Sequence, residues 1–330
     1  MGATGAGRGF GRGGGSGGGS GSGPGSGPGR RGAPPSLTPP SPPLRPRARA
    51  RVRRWGASGS SRAGWPTYAI LAAVVVVSAF PFYWTFVAAS TSNAAINQTP
   101  PNLVPGHNFM TNVRAALANV PLAQAIINSA LVSAAVAAGT AMVGALAGFA
   151  FAKLRFRGRR ALFLVILATM MVPYQIGIVP LFVMMARIHM VNRLPAVVLP
   201  GLVSAFGVFF LRQYLSRALP DELLESARID GAGNLRIFVS VVLPLARPAM
   251  AVLGLLTFMG TWNDFFWPIL VLSRDNPTTQ VAIGELGRGY VPDVSVILAG
   301  TLLGTLPVLV VFVVLGRQIV SGIMHGGVKG

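Results

Sequence analysis

The chain has 330 residues, 52% of them hydrophobic and only 11% charged, with a formal net charge of +20 and a mean hydropathy of +0.58. Soluble domains carry about 25% charged residues, so apolar residues in such long runs point to a membrane as solvent. The absence of cysteine excludes disulfides and thiolate metal sites.

Residues 1–63 form the first compositional zone, made of Gly, Ser, Pro and Arg with almost nothing apolar to bury. Such a segment cannot offset its ordering entropy, and a disordered tail is expected. Aromatic residues hardly interleave its arginines, so nucleic acid is not an expected partner. Contact with anionic lipid and a role in membrane orientation fit better.

Six apolar runs then follow at 66–89, 128–152, 161–186, 195–215, 248–272 and 294–315. Each approaches the roughly 20 residues a helix needs to cross the hydrocarbon core. The fourth has the shortest apolar core and ends in Arg212. The segment 144-GALAG-148 in the second run is a small-xxx-small pattern that lets helices approach closely. Pro173 and Pro180, Pro200 and Pro307 predict kinks or breaks in the third, fourth and sixth runs.

Six spans put both termini on one side. That side would hold the eleven arginines of the tail, the basic loop Lys153–Arg160, Arg212, Arg217, Arg228, Arg236, Arg247, Arg317 and Lys329. The other would hold Arg114, Arg187, Arg193, Arg274 and Arg288. The excess of positive charge predicts cytoplasmic termini in a plasma-membrane protein.

The loop between the fourth and fifth runs, about 216–247, concentrates acid. Asp221, Glu222, Glu225 and Asp230 are four of only eight carboxylates in the chain. Pro220 suits a helix start, the two acids after it complement the helix dipole, and Gly231 ends the helix at a tight corner. A second helical stretch, 234-NLRIFVSVVL-243, precedes Pro244 and Pro248, which mark the expected rise back into the membrane. Two short rigid pieces joined at a corner suit docking into a partner. A plainer reading is an acidic helix that balances nearby arginines.

The run 225-ESARIDGAGNLRIFVSVVLPLARP-248 closely resembles the EAA motif of ABC importer permeases, matching it at Glu225, Ala227, Asp230, Gly231, Ala232, Leu243, Pro244 and Pro248. Ser226 replaces the central alanine. The resemblance runs from about residue 66 to Val328-Lys329-Gly330, with 148-GFAFAKLRFRGR-159, 172-VPYQIGIVPLF-182 and 261-TWNDFFWP-268 in support. It is similar to the maltose-type carbohydrate subfamily. The resemblance implies an all-α integral membrane protein with six transmembrane helices of the type I importer fold. It also implies that Glu225, Ser226, Ala227, Asp230, Gly231 and Ala232 couple to a cytoplasmic ATPase. The implied partners are a second, homologous permease subunit, two ABC ATPase subunits and an extracytoplasmic solute-binding protein. The expected division is a first span with its loop at 64–121, the importer transmembrane domain at 122–317 and a C-terminal tail at 318–330.

The sequence holds no GxxxxGK[ST] and only two lysines, Lys153 and Lys329. The chain is therefore not expected to carry its own ATP site or any cofactor, ATP being hydrolysed by the partners. His107, His189 and His325 lack metal-ligand spacing, and no nucleophile–base pair suggests an enzyme. The substrate-pathway candidates are Trp262, Asn263 and Asp264, with Tyr174, Gln175 and Asn128. Asp264 is the sole carboxylate inside a predicted span, and carboxylate, amide and aromatic faces are what a sugar site uses. Alternatively, Asn263 and Asp264 bond backbone at a helix break. An importer of another small solute, or a six-span secondary transporter, are the competing functions.

Overall fold

The computed structural model describes residues 64–100, 103–288 and 290–327, with side chains as far as Val314. The expected disordered tail, 1–63, and the terminal 328–330 lie outside the described residues.

The described residues are helical throughout, without strands. Helix α1, Trp65–Ala89, opens with Pro66 in its first turn, where a missing N–H costs nothing. Its side chains are apolar and largely exposed until Val87, Ala88 and Ala89, which are buried. A short helix α2, Asn93–Ile96, and helix α3, Phe109–Asn119, complete the first connection. The buried Asn112 amide fixes that loop by donating to the carbonyls of Ala89 and Thr91, both at 2.9 Å.

Helix α4, Leu122–Lys153, is the axis of the bundle. Its 32 residues rise about 48 Å, more than the roughly 30 Å hydrocarbon core requires. Alanine and glycine let neighbours come close. A Cβ on Gly148 would lie 2.8 Å from the Arg212 backbone nitrogen and 2.9 Å from the Leu211 carbonyl carbon, and one on Gly144 3.1 Å from the Gly207 oxygen. The expected small-residue seam is thus the contact between α4 and helix α8, Ala205–Ala218.

Three predicted spans differ from straight helices. The third is divided into α5, Arg159–Thr169, and α6, Ile178–Arg187, with a 3₁₀ turn at Tyr174–Gly177 between them. The two arms bend by 92°. Pro173 forces the residue before it out of the α region, and its ring cannot continue the α5 ladder. The fourth consists of α7, Pro195–Gly201, and α8, bent by 43°. Here Pro200 is followed by Ser204, whose hydroxyl accepts from the Gly207 N–H at 3.2 Å and starts α8 afresh.

The fifth span begins earlier than the sequence suggested. After α9, Asp221–Ile229, the chain runs from α10, Asn234–Ile237, through a π turn at Phe238–Val242 into α11, Leu243–Trp262. The expected separate second helix is therefore the foot of the fifth span. A regular helix would set the Pro244 ring against the carbonyl four residues back. The wider π turn immediately before it makes room. The same span stops at Trp262 rather than 272, and α12, Phe266–Val271, restarts it. Helix α13, Thr279–Leu286, and helix α14, Val294–Gly327, complete the described residues. Among the described residues four helices are long and apolar enough to cross a membrane, or six if each bent pair is one span.

Packing is divided along α4. Towards its Lys153 end, Ala145 and Phe149 join Leu211, Leu215, Leu224, Phe238, Val242 and Leu253 in one apolar cluster. Towards the middle, Val132 and Val136 meet Ile178, Met185, Val197, Trp267 and Val271. The exposed apolar residues of α1, α5, α6 and α14 are what a helical membrane protein turns to lipid or to a partner.

Candidate functional site

Two places combine polar chemistry with unusual backbone, and α11 connects them. The first is α9 and its corner. Asp221 and Glu222 occupy its first turn, complementing the positive end of the helix. The Asp221 carboxylate lies 2.7 Å from Lys153 Nζ, so the start of α9 is tied to the end of α4. Lys153 is only 10% exposed along its side chain, whereas Asp221 is 72% exposed. Hydrogen bonding and charge from Lys153, helped by Arg155 and Arg228, hold the Asp221 carboxyl below its ordinary value of 3.8. A depressed carboxyl pKa stabilises the tie above the ordinary value and loses it as pH falls through the lowered one. The tie is therefore intact at neutral pH. Lys153→Ala should speed hydrogen exchange of the α9 amides while leaving those of α4 unchanged.

The other end of α9 is closed by backbone. The N–H of Gly231 donates to the Arg228 carbonyl at 3.0 Å, and that of Ala232 to the Ala227 carbonyl at 2.9 Å. This pair of bonds is the Schellman cap, which requires a left-handed residue after the helix. Gly231 supplies it with φ of 76°. Ala227 and Ala232, bridged by the cap, both pack against the cluster that buries Leu224. The Ser226 hydroxyl donates to the Leu223 carbonyl at 3.1 Å, while Glu225 and Asp230 are exposed. The six residues expected to couple to a partner thus have two duties. Ala227, Gly231 and Ala232 build the corner; Glu225, Ser226 and Asp230 face outward beside exposed Leu223 and Ile229.

The second place is an open cavity of about 400 Å³ on the bundle surface, level with the middle of α4. Its depth is set by Val136, near the midpoint of α4. The three helix breaks meet there. Tyr174 and Gly177 come from the 3₁₀ turn, Pro200 and Gly201 from the end of α7, and Thr261, Asp264 and Trp267 from the α11–α12 break. Irregular backbone at membrane depth is tolerated where it lines a cavity or is buried in protein.

Asp264 serves the break as well as the cavity. One carboxylate oxygen accepts from the Phe266 N–H at 3.1 Å, at the start of α12. A carboxylate has about four acceptor positions, so this bond leaves capacity for a solute. The bond to Phe266 is the one the helix-break reading of Asp264 expects, and the same residue lines the cavity.

The other candidates separate. Tyr174 lines the cavity; Gln175 is exposed and is not among its lining residues. Trp262 is 1% exposed, and its indole donates to the Gly304 carbonyl at 3.2 Å, which fastens α11 to α14. Asn263 donates to the Met259 carbonyl at 2.8 Å and accepts from Gln280 at 3.4 Å. Asn128 is buried and donates to Asn276 and the Pro277 carbonyl, both at 2.9 Å, tying α4 to the α12–α13 connection. Sequence reasoning passed over Thr261 and the Pro200-Gly201 pair as cavity residues, and it treated Trp267 only as a flank of Asp264. A Pro-Gly pair in an apolar run was the available signal.

A multi-pass helical bundle with an open cavity at three breaks and a rigid corner at one end has the build of a membrane permease subunit. Residues 140–321 match the family described as the binding-protein-dependent transport system inner membrane component. The lactose transport system permease protein LacG of Rhizobium radiobacter is 34% identical over 263 residues, covering 79% of this chain and 95% of that protein. The sn-glycerol-3-phosphate transport system permease protein UgpE of Salmonella typhi is 33% identical over 259 residues, covering 76% and 92%. The arabinooligosaccharides transport system permease protein AraQ of Halalkalibacterium halodurans is 36% identical over 204 residues, covering 62% and 73%. The fold is shared with a chain of a bacterial ABC transporter involved in the import of the acidic polysaccharide alginate. That match has a TM-score of 0.66 at 22% identity and covers 77% of this chain and 95% of the other. The chain belongs to the binding-protein-dependent inner membrane component family of ABC importers.

Proposed function

We propose that this permease subunit forms half of a translocation pathway for a carbohydrate delivered by an extracytoplasmic binding protein. A second, homologous permease subunit supplies the other half. Two cytoplasmic ABC ATPase subunits hydrolyse the ATP, and this chain binds no nucleotide or other cofactor. Both termini and the α9 corner face the cytoplasm of a plasma-membrane assembly. The carbohydrate class is supported by relatives named for lactose and arabinooligosaccharide transport, and the one named for glycerol phosphate transport keeps a small polyol ester as the alternative solute.

The convergence of three helix breaks on one cavity carries this reading. Tyr174 and Thr261 bring hydroxyls, Asp264 brings a carboxylate, and the Tyr174 ring offers a flat apolar face to a sugar, while buried Trp267 closes the wall behind them. Coupling follows the covalent path. Leu224 of α9 shares an apolar cluster with Leu253 of α11, and α11 ends at the Asp264 break. The 20 residues of α11 carry a displacement of α9 over about 30 Å to the cavity wall. Rigid elements with a fixed corner transmit a partner's rigid-body movement in this way.

Asp264→Asn separates the two duties of this residue, because asparagine caps a helix as well as aspartate does. Losing one or two solute hydrogen bonds costs about 1–1.5 kcal/mol, so KM for the transported sugar should rise about tenfold with membrane assembly unchanged. Uptake of labelled mono- and oligosaccharides by membrane vesicles measures this. Unaltered KM and unaltered sugar preference would make Asp264 a structural cap alone.

A further inference from the structure

A cleft of about 670 Å³ separates the α4–α5 connection from α9, and of its lining residues only Glu225 belongs to the coupling set. Its walls carry four cations, Lys153, Arg155, Arg159 and Arg228, against two carboxylates, Asp221 and Glu225. Lys153 and Asp221 neutralise each other. Arg159 donates to the Leu154 carbonyl at 3.0 Å, which holds it in place without cancelling its charge. The guanidinium groups of Arg155 and Arg228 make no ion pair or hydrogen bond with any described residue, and each acts on Asp221 only at longer range. Three uncompensated guanidinium groups thus converge on one concave space that holds a single unpaired carboxylate, Glu225.

The cleft has an apolar edge too. Phe156 lines it and is 40% exposed, in the turn that links the end of the membrane-crossing α4 to the start of α5. That turn joins two apolar helices, each part of a candidate membrane span. Planar guanidinium groups bind phosphate oxygens in bidentate fashion, and basic pockets beside membrane spans suit anionic headgroups.

We infer that the cleft between the α4–α5 turn and α9 is a binding site for a phosphate-bearing anion, held by Arg155, Arg159 and Arg228. Such a ligand bridges the end of α4 to the corner helix, because Arg155 lies on one wall and Arg228 on the other. Its occupancy therefore adds a second tie beside Lys153–Asp221 and stiffens the α9 corner. The phosphate can belong to a membrane lipid or to a soluble phosphate ester, and the chemistry of the cleft serves both.

The test uses the full chain with its co-purifying subunits in nanodiscs. One set is pure phosphatidylcholine; the other also contains phosphatidylglycerol. Native mass spectrometry counts retained phosphatidylglycerol, and equilibrium dialysis in the phosphatidylcholine set measures binding of labelled inorganic phosphate. The double variant Arg155→Gln, Arg228→Gln should weaken retention or binding about tenfold. The charge-matched double variant Arg157→Gln, Arg160→Gln, whose residues do not line the cleft, should leave it unchanged. Retention of the lipid assigns the site to a headgroup, and phosphate binding without lipid assigns it to a soluble ester. Equal losses in both double variants would show diffuse surface charge and overturn the proposal. Binding of neither probe, or photo-cross-linking of position 155 to a co-purifying ATPase subunit that fills the cleft, would overturn it as well.

Discussion

Gly231→Pro should abolish solute uptake while the protein still reaches the membrane in normal amount. The φ of 76° at this position is out of reach for proline, which is locked near −65°. Proline also lacks the N–H that donates to the Arg228 carbonyl, so both bonds of the cap are disturbed. Crowding plays no part, because a Cβ at Gly231 would meet nothing within 4 Å. Gly231→Ala is thus the informative companion. It pays only the left-handed penalty of about 1–2 kcal/mol and should retain a reduced but measurable rate. Gly231 and its cap lie outside the long apolar helices, so insertion does not depend on them. Uptake in membrane vesicles, normalised to the amount of protein inserted, separates coupling from assembly. Normal transport by the proline variant would remove α9 from the mechanism.

Gly148→Val should fail earlier, at the level of the folded bundle. Its Cβ would sit 2.8 Å from one backbone atom of α8 and 2.9 Å from another. Neither can rotate away as a side chain could, so α4 and α8 must separate along their whole seam. Overpacking of this kind costs about 3 kcal/mol, a large part of a domain's net stability. The expected result is a strong loss of monodisperse protein in detergent and a lowered unfolding temperature. Gly254→Ala in α11 provides the control, since nothing lies within 4 Å of its added Cβ. It should be neutral or slightly stabilising, by about 0.5–1 kcal/mol. A Gly148→Val protein as stable as the parent would mean that α4 and α8 are not in close contact.

These two glycines also show what a sequence can and cannot disclose. Gly231 is legible because a helix with acid at its start and glycine after its end has few alternative structures. The small-residue seam is legible because alanine and glycine at four-residue spacing have no other use in an apolar helix. The breaks at Pro173 and Pro200 are harder. A proline in an apolar run permits a gentle kink or a bend of 92°, and the neighbours that choose between them are distant in sequence. The start of the fifth span was misplaced for a related reason. Pro244 and Pro248 read as a boundary, whereas a π turn before them carries the helix through.

The residues near the cavity show a second limit. Trp262 and Trp267 occur in one aromatic run and both indoles fasten helices, Trp262 to Gly304 of α14 and Trp267 to Ala196 of α7, yet only Trp267 also lines the cavity. Helical phase cannot be followed across the break at 263–265, so the run alone does not say which ring faces inward. Asn128 looked like a pore residue because it is polar in an apolar span. Its partners lie 148 and 149 positions away, and only the folded chain shows that its amide is consumed by them. For Asp264 the sequence leaves a backbone bond and a place in the cavity as separate possibilities, and the break itself joins them.

In the proposed mechanism the α9 corner receives the movement of an ATPase and passes it to the cavity. Ile229, 87% exposed on α9, is the place to test it. A photo-cross-linking residue at Ile229 in native membranes, followed by identification of the adduct, is the most direct measurement. The expected result is a cross-link to a nucleotide-binding ATPase subunit that disappears when Gly231→Pro is added. A chain that forms no ATPase adduct at Ile229, purifies alone, and still transports after reconstitution would contradict it.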